Sequence, residues 1–238
     1  MKPKFGVVVF PGSNCDHDAY WSLKHELGYD VEFLWHKEQS LKDCNVVILP
    51  GGFSYGDYLR CGAVAKLSPI MSEVVKFASE GGIVIGICNG FQILCETGLL
   101  PGVLLKNENL KFICENVHLK VDGASDIFAN DYHGKITTIP IAHGEGNYFI
   151  EPEGLEELER NGQVLFRYCD AAGNVTSDSN PNGSLNNIAG IINENGNVLG
   201  MMPHPERACS PLLGNDDGKF IFTSIAEFIK KKEVENVL

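Results

Sequence analysis

The sequence is short of positive charge, of paired cysteines and of long apolar runs, and each shortage excludes something. No stretch of 18 apolar residues occurs, so no membrane-spanning helix is expected. The apolar run from Val7 to Phe10 stops at Pro11-Gly12, too early for the core of a secretory signal. Lys and Arg number 19 against 31 Asp and Glu, a net charge of −12 that disfavours nucleic acid or an acidic membrane surface as partner. There are 8 cysteines, but no pair has CxxC spacing, and a chain of 238 residues does not need disulfide staples. Reduced thiols and a cytoplasmic location are therefore expected. Internal repeats and low-complexity segments are absent. So are the G-x-G-x-x-G and G-x-x-x-x-G-K-[ST] patterns that cradle phosphates, and no His/Cys spacing suggests a zinc site.

What is present is an alternation of apolar runs and amphipathic stretches. Residues 5–10, 31–35, 46–49 and 83–87 read as strands, the first and the last two continuously apolar, as strands buried on both faces are. Helices are expected at 13–27, with Ser13 or Asn14 at the cap and Gly28 past the end, at 70–79 and at 89–97. Strand–helix alternation of this kind implies a parallel, doubly wound sheet. The middle of the chain differs: 117–121, 135–139, 164–168, 188–192 and 198–202 read as strands with one helix, 152–160, among them. Asn195-Gly196 is a hairpin turn signal, because both positions tolerate positive φ. A last helix at 218–232 places Ile221, Ile225, Phe228 and Ile229 on one face, with Lys230, Lys231 and Lys232 towards its negative end. The expectation is a single α/β domain over 1–238, its mostly parallel central sheet extended by antiparallel strands.

The chemistry gathers at strand ends. Gly86-Ile87-Cys88-Asn89-Gly90 joins a buried strand to a helix, the pattern of a nucleophile elbow with Cys in place of Ser. Such a turn lifts the sulfur to the carboxyl edge of the sheet. The helix start favours thiolate, and the amide of Asn89 points at an oxyanion formed nearby. A packed core cysteine between two small residues is the plain alternative. A thiolate acyl transfer needs a proton shuttle. Of the seven histidines, His204 stands at a strand end in Met202-Pro203-His204-Pro205-Glu206. The two prolines suggest extended backbone, which sends His204 and Glu206 to the same side, where the carboxylate orients the imidazole. A loop histidine beside a solvated glutamate is the bland reading. The H-x-E here is not followed by the P-C-x-x-C of zinc deaminases. Pro50-Gly51-Gly52 follows another buried strand and allows a turn whose amides face the site. Asn14 stands at the end of the first strand and can face the same crevice.

Cys88, His204 and Glu206, with the preceding Pro-Gly-Gly turn, resemble the class I (triad) glutamine amidotransferase family. Longer blocks narrow the likeness to the stand-alone glutaminase subunits of purine synthesis: Phe10 to Asp16, Gly51 to Ala63, Ala142-His143-Gly144-Glu145-Gly146, Asn180 to Ser184 and His204 to Arg207. The resemblance covers nearly the whole chain. It departs at Glu115, where a basic residue is expected.

The resemblance implies a three-layer, flavodoxin-like α/β fold and hydrolysis of L-glutamine to glutamate and ammonia. Cys88 would attack the carboxamide, His204 would shuttle the proton, and Glu206 would orient His204. The amides of Gly52 and Asn89 look like oxyanion donors, and Gln92 looks like a contact to bound glutamine. His143, Gly144 and Glu145 would lie beside the substrate's amino-acid end. Ammonia would pass to a separate synthetase subunit, which uses ATP and Mg²⁺ to convert formylglycinamide ribonucleotide to its amidine, with a small third subunit in the assembly. No cofactor is implied for this chain. A cysteine hydrolase or peptidase on a related scaffold is the rival reading, and a non-catalytic subunit that keeps the fold is a third.

Overall fold

Short β-branched runs make the centre of the molecule, because a strand covered on both faces has no solvent side to make polar. A computed structural model describes residues 3–235. In chain order it contains β1 (Lys4–Val9), α1 (Asp16–Trp21), β2 (Asp30–Trp35), β3 (Val46–Leu49), α2 (Pro69–Ser79), β4 (Ile83–Ile87), α3 (Asn89–Thr97), β5 (Val103–Leu105), β6 (Ile113–Val121), β7 (Ile136–His143), β8 (Asn147–Phe149), α4 (Pro152–Arg160), β9 (Val164–Cys169), β10 (Ile188–Ile192), β11 (Val198–Met201) and α5 (Lys219–Glu235). Every residue of β3, β4, β9, β10 and β11 is buried, so both faces of the sheet are covered there. Among the described residues, no helix is long and apolar enough to cross a membrane.

Nine strands form one sheet in the order β2-β1-β3-β4-β11-β10-β9-β6-β7. The first five run parallel, and the remaining four join antiparallel. The hairpin expected at Asn195-Gly196 joins β10 to β11, with Gly196 at φ 69°. The register aligns the functional edge. Leu49 of β3 and Gly200 of β11 both lie opposite Gly86 of β4, so these three strands end side by side. The chain runs from β1 outward to β2, then crosses back to β3 on the other side. Such a reversal leaves a crevice at the carboxyl edge of an open sheet.

Three expectations are corrected. The helix read at 13–27 is α1 alone, followed by a π-helical turn at Ser22–Glu26. Ser13 does not cap it. The Ser13 hydroxyl turns back to the Phe10 amide at 3.0 Å and the Asp16 carboxylate at 3.1 Å, which leaves Cys15 at the cap position. The turn after His204 is not extended: Pro205–Arg207 is a 3₁₀ turn, because Pro205 fits the first position of a helical turn. Antiparallel β5 and β8 form a separate two-stranded sheet that carries no sequence signal, being three residues each and half-exposed. The last helix keeps its expected apolar face. Ile221 and Ile225 are buried, Phe228 and Ile229 pack against the core, and Phe220 stacks on Tyr132 at 4.2 Å.

Candidate active site

Cys88 sits between the end of β4 and the start of α3 with φ 51° and ψ −106°, a conformation that L-residues avoid. The neighbouring glycines make it possible. A Cβ on Gly86 would stand 2.5 Å from the Gly90 carbonyl, and one on Gly90 would run into the Leu49 carbonyl of β3. The elbow is therefore pressed against the next strand, with room for hydrogen atoms only. The Cys88 sulfur faces the Ala142 carbonyl at 3.7 Å. Asn89 begins α3, so its amide has no intrahelical acceptor.

His204 follows β11 in the adjacent strand position. Its Nδ1 pairs with Glu206 Oε1 at 2.6 Å, and both side chains are almost fully buried, at 1% and 0% exposure. Burial opposes a charged imidazole. The charges of Glu206 and Cys88, and contacts from the Cys15 and Cys88 sulfurs, outweigh it and hold His204 well above its ordinary value. The sequence thus anticipates this pairing, although the backbone reaches it through a 3₁₀ turn. The remaining polar atoms of the pair, His204 Nε2 and Glu206 Oε2, are buried without hydrogen-bond partners. Unpartnered polar atoms at a buried site suit groups that are used during a reaction.

The turn after β3 closes a second side. A Cβ on Gly51 would come within 2.6 Å of His204 Cε1, 3.3 Å of Cys88 Cβ and 3.3 Å of Cys15 Sγ. Gly52 has φ 118°, and a Cβ there would lie 2.5 Å from Asn14 Oδ1. Only glycine lets this backbone approach both Cys88 and the β1 turn. Asn89 ties the wall together: its side-chain oxygen accepts from the Ser54 amide at 3.2 Å, and its Nδ2 donates to Gln92 Oε1 at 2.9 Å. Gln92 Nε2 then donates to the Glu145 carbonyl at 2.6 Å. Gln92 is thus bound to the segment after β7, and half-buried Glu145 lines the same side.

His143 and Gly144 behave differently from Glu145. His143 is buried, with Nδ1 at 3.0 Å from Asn107 Oδ1 and Nε2 at 3.5 Å from Asn182 Nδ2. Burial, then the nearby charge of His204, pushes it down to about 4. A Cβ on Gly146 would strike the His143 ring, so the imidazole fills the inside of this turn. The Gly144 carbonyl accepts from the Asn107 amide at 2.9 Å. Asn107 and Asn182, which organise the turn, carry no local sequence signal for that role.

Three further residues lie within the motif blocks, which assign them no role. The Cys15 sulfur lies within 4.8 Å of a ring nitrogen of His204 and of a carboxylate oxygen of Glu206. That sulfur, nitrogen and carboxylate set has the chemistry of a soft-metal site. Arg207 Nη2, however, donates to Cys15 Sγ at 3.0 Å, and its positive charge works against a cation there. Asp57 and Cys61 meet Glu145 at the outer wall. Burial raises Asp57, and burial with the carboxylates of Asp57 and Glu145 drives the Cys61 thiol far up, keeping it protonated. Arg60 points away from the site and pairs with Glu96.

Comparison with known proteins decides the family. Residues 2–218 match the model of the CobB/CobQ-like glutamine amidotransferase domain. The chain belongs to the glutamine amidotransferase family. A relative from Salinibacter ruber, phosphoribosylformylglycinamidine synthase subunit PurQ, is 56% identical over 96% of this chain and 98% of its own. The PurQ subunit of Moorella thermoacetica is 54% identical over 97% and 98%. The solved structure of PurLQS from Thermotoga maritima contains a chain 45% identical to this one, with a TM-score of 0.84 over 96% of this chain and 100% of that one. A putative GMP synthase protein from Thermoplasma acidophilum, at 15% identity and a TM-score of 0.63 over 99% of this chain and 98% of that one, shares the fold.

Proposed function

We propose that this glutamine amidotransferase hydrolyses L-glutamine to glutamate and ammonia as the single-domain glutaminase subunit of phosphoribosylformylglycinamidine synthase. The observation that carries the reading is the buried His204–Glu206 pair, 2.6 Å apart, beside a cysteine held at φ 51° on a strand–helix elbow. His204, held charged beside Glu206, already carries the proton, and the Cys88 sulfur bonds to the carboxamide carbon. The amides of Gly52 and Asn89 receive the oxyanion. The carbon–nitrogen bond then breaks, and His204 passes the proton to the departing nitrogen, leaving a γ-glutamyl thioester and ammonia. Water enters, gives a proton to His204 and attacks the thioester carbonyl. The sulfur–acyl bond breaks, glutamate leaves and gives its acid proton to solvent, and His204 keeps the proton taken from water. Glu206 stays ionised throughout and steadies the imidazolium. Glu145 and Gln92 bound the side where the substrate's amino-acid end lies, and His143 and Gly144 shape that wall from within.

The names of the PurQ relatives and of PurLQS support a multi-subunit assembly. In this reading it is cytoplasmic, with a large synthetase and a small accessory subunit beside this chain. ATP and Mg²⁺ serve the synthetase, and this chain needs no cofactor of its own. The test is amidine formation by the assembled complex with glutamine or with ammonium salt as nitrogen source. Cys88→Ala abolishes the glutamine-dependent reaction and spares the ammonia-dependent one. Loss of neither reaction, or of both in a complex that still assembles, contradicts the reading.

A further inference from the structure

A proton-shuttling imidazole must hold one nitrogen on its orienting carboxylate while offering the other to the reacting atoms. Glu206 fixes one point of the His204 ring, at Nδ1, and a single point leaves the ring free to swing. A second point is on hand. The Cys15 sulfur is within 4.8 Å of a ring nitrogen of His204 and of a carboxylate oxygen of Glu206, and it is 3% exposed. It is itself clamped. Arg207 Nη2 donates to it at 3.0 Å, and Arg207 Nε donates to Asp18 Oδ2 at 3.0 Å. The Cys15 sulfur, the Cys88 Cβ and the edge of the His204 ring all border the same gap at Gly51.

We propose that Cys15, held by Arg207 and Asp18, is a positioning residue that keeps the His204 imidazole turned towards Cys88. The inference rests on the glutaminase reading above. The charged and titratable groups around the ring are Glu206 and Arg207 from its own turn, Cys88 from the elbow, Cys15 from the β1 turn and His143 from the end of β7. Of these, Glu206, Cys88 and Cys15 favour the protonated ring, while His143 is held neutral. Cys15 thus steadies the imidazolium while it delivers its proton to the departing ammonia. It makes no bond to substrate.

The test is ammonia release from glutamine, measured against pH with the synthetase partner present, for wild type, Cys15→Ala and Cys15→Ser. Cys15→Ala lowers kcat about tenfold and leaves KM within about twofold, because the sulfur beside the imidazole is lost and nothing is lost at the substrate. The alkaline limb, which reports loss of the imidazolium proton, moves down by about one pH unit, and the acid limb stays. Cys15→Ser keeps a polar acceptor against Arg207 and restores most of kcat and of the limb. An unshifted alkaline limb in Cys15→Ala overturns the inference, as does a kcat loss that Ser does not relieve. If Cys15→Ala does not fold, the limb of Cys15→Ser decides alone: within about a quarter of a pH unit of wild type it upholds the inference, and a larger downward shift overturns it. No release by wild type contradicts the glutaminase reading instead, and the inference falls with it.

Discussion

Two buried histidines with opposite settings show how environment assigns roles. His204 has a carboxylate at 2.6 Å and is held charged, whereas His143 has the amides of Asn107 and Asn182 and is held neutral at about 4. The folded state therefore binds the His143 proton far more weakly than the unfolded chain does, whose value is near 6.5. The stability from neutral His143 is present above about pH 6.5 and is lost as pH falls towards about 4. Between about pH 7 and about pH 5 this one group accounts for a loss of about 2 kcal/mol, read from urea unfolding at the two pH values. His143→Gln, which keeps an amide against Asn107, flattens that difference. An unchanged difference contradicts a neutral buried His143. Cys88, His204 and Glu206 were legible because each lies at a strand end within its own short motif. Cys15 was not, because its meaning comes from Arg207, 192 positions away. Asn107 likewise meets His143 36 positions on.

The strand–turn–helix element does most to make the site, and its glycines carry that work. At Gly90 the obstacle is the Leu49 backbone, which cannot move without shifting β3. Gly90→Ala therefore destabilises the protein by about 3 kcal/mol or more and removes activity. Gly98, just past α3 at φ 76°, opens onto free space, with nothing within 4 Å of where a Cβ would stand. Gly98→Ala incurs only the left-handed backbone cost of about 1 kcal/mol and keeps activity. Unfolding and ammonia release measured on both variants separate the two cases. Equal losses would show that close packing at the elbow is not what Gly90 provides. Elements with strong periodicity or continuous apolar runs were readable: β3, β4, α2, α3 and the β10–β11 hairpin. The π-helical turn after α1 and the short β5–β8 pair were not. A hydrogen-bond slip changes no residue type, and half-exposed three-residue strands show no alternation.

On the scale of the whole molecule, two kinds of sheet meet at one site. The parallel half supplies the ends of β1, β3, β4 and β11. The antiparallel half brings the turn after β7 against Gln92, so that side of the crevice is closed by chain far in sequence from Cys88. The alternation of strands and helices announced the first half. The second could be seen as strands but not as a wall, because long-range pairing such as β6 with β7 and β9 is not written in local pattern. All eight cysteines are free, and Cys114 is the exposed one, whereas Cys88 is buried at 5% exposure. Ordinary thiol accessibility therefore favours Cys114, whereas recognition of glutamine beside His204 favours Cys88. The most direct measurement is mass spectrometric mapping of the protein after treatment with 6-diazo-5-oxo-L-norleucine, a glutamine-shaped alkylating agent, with and without glutamine as protectant. The account predicts one adduct, on Cys88, suppressed by glutamine and accompanied by loss of ammonia release. An adduct on Cys114 alone, or labelling of Cys88 that glutamine does not slow, would contradict it.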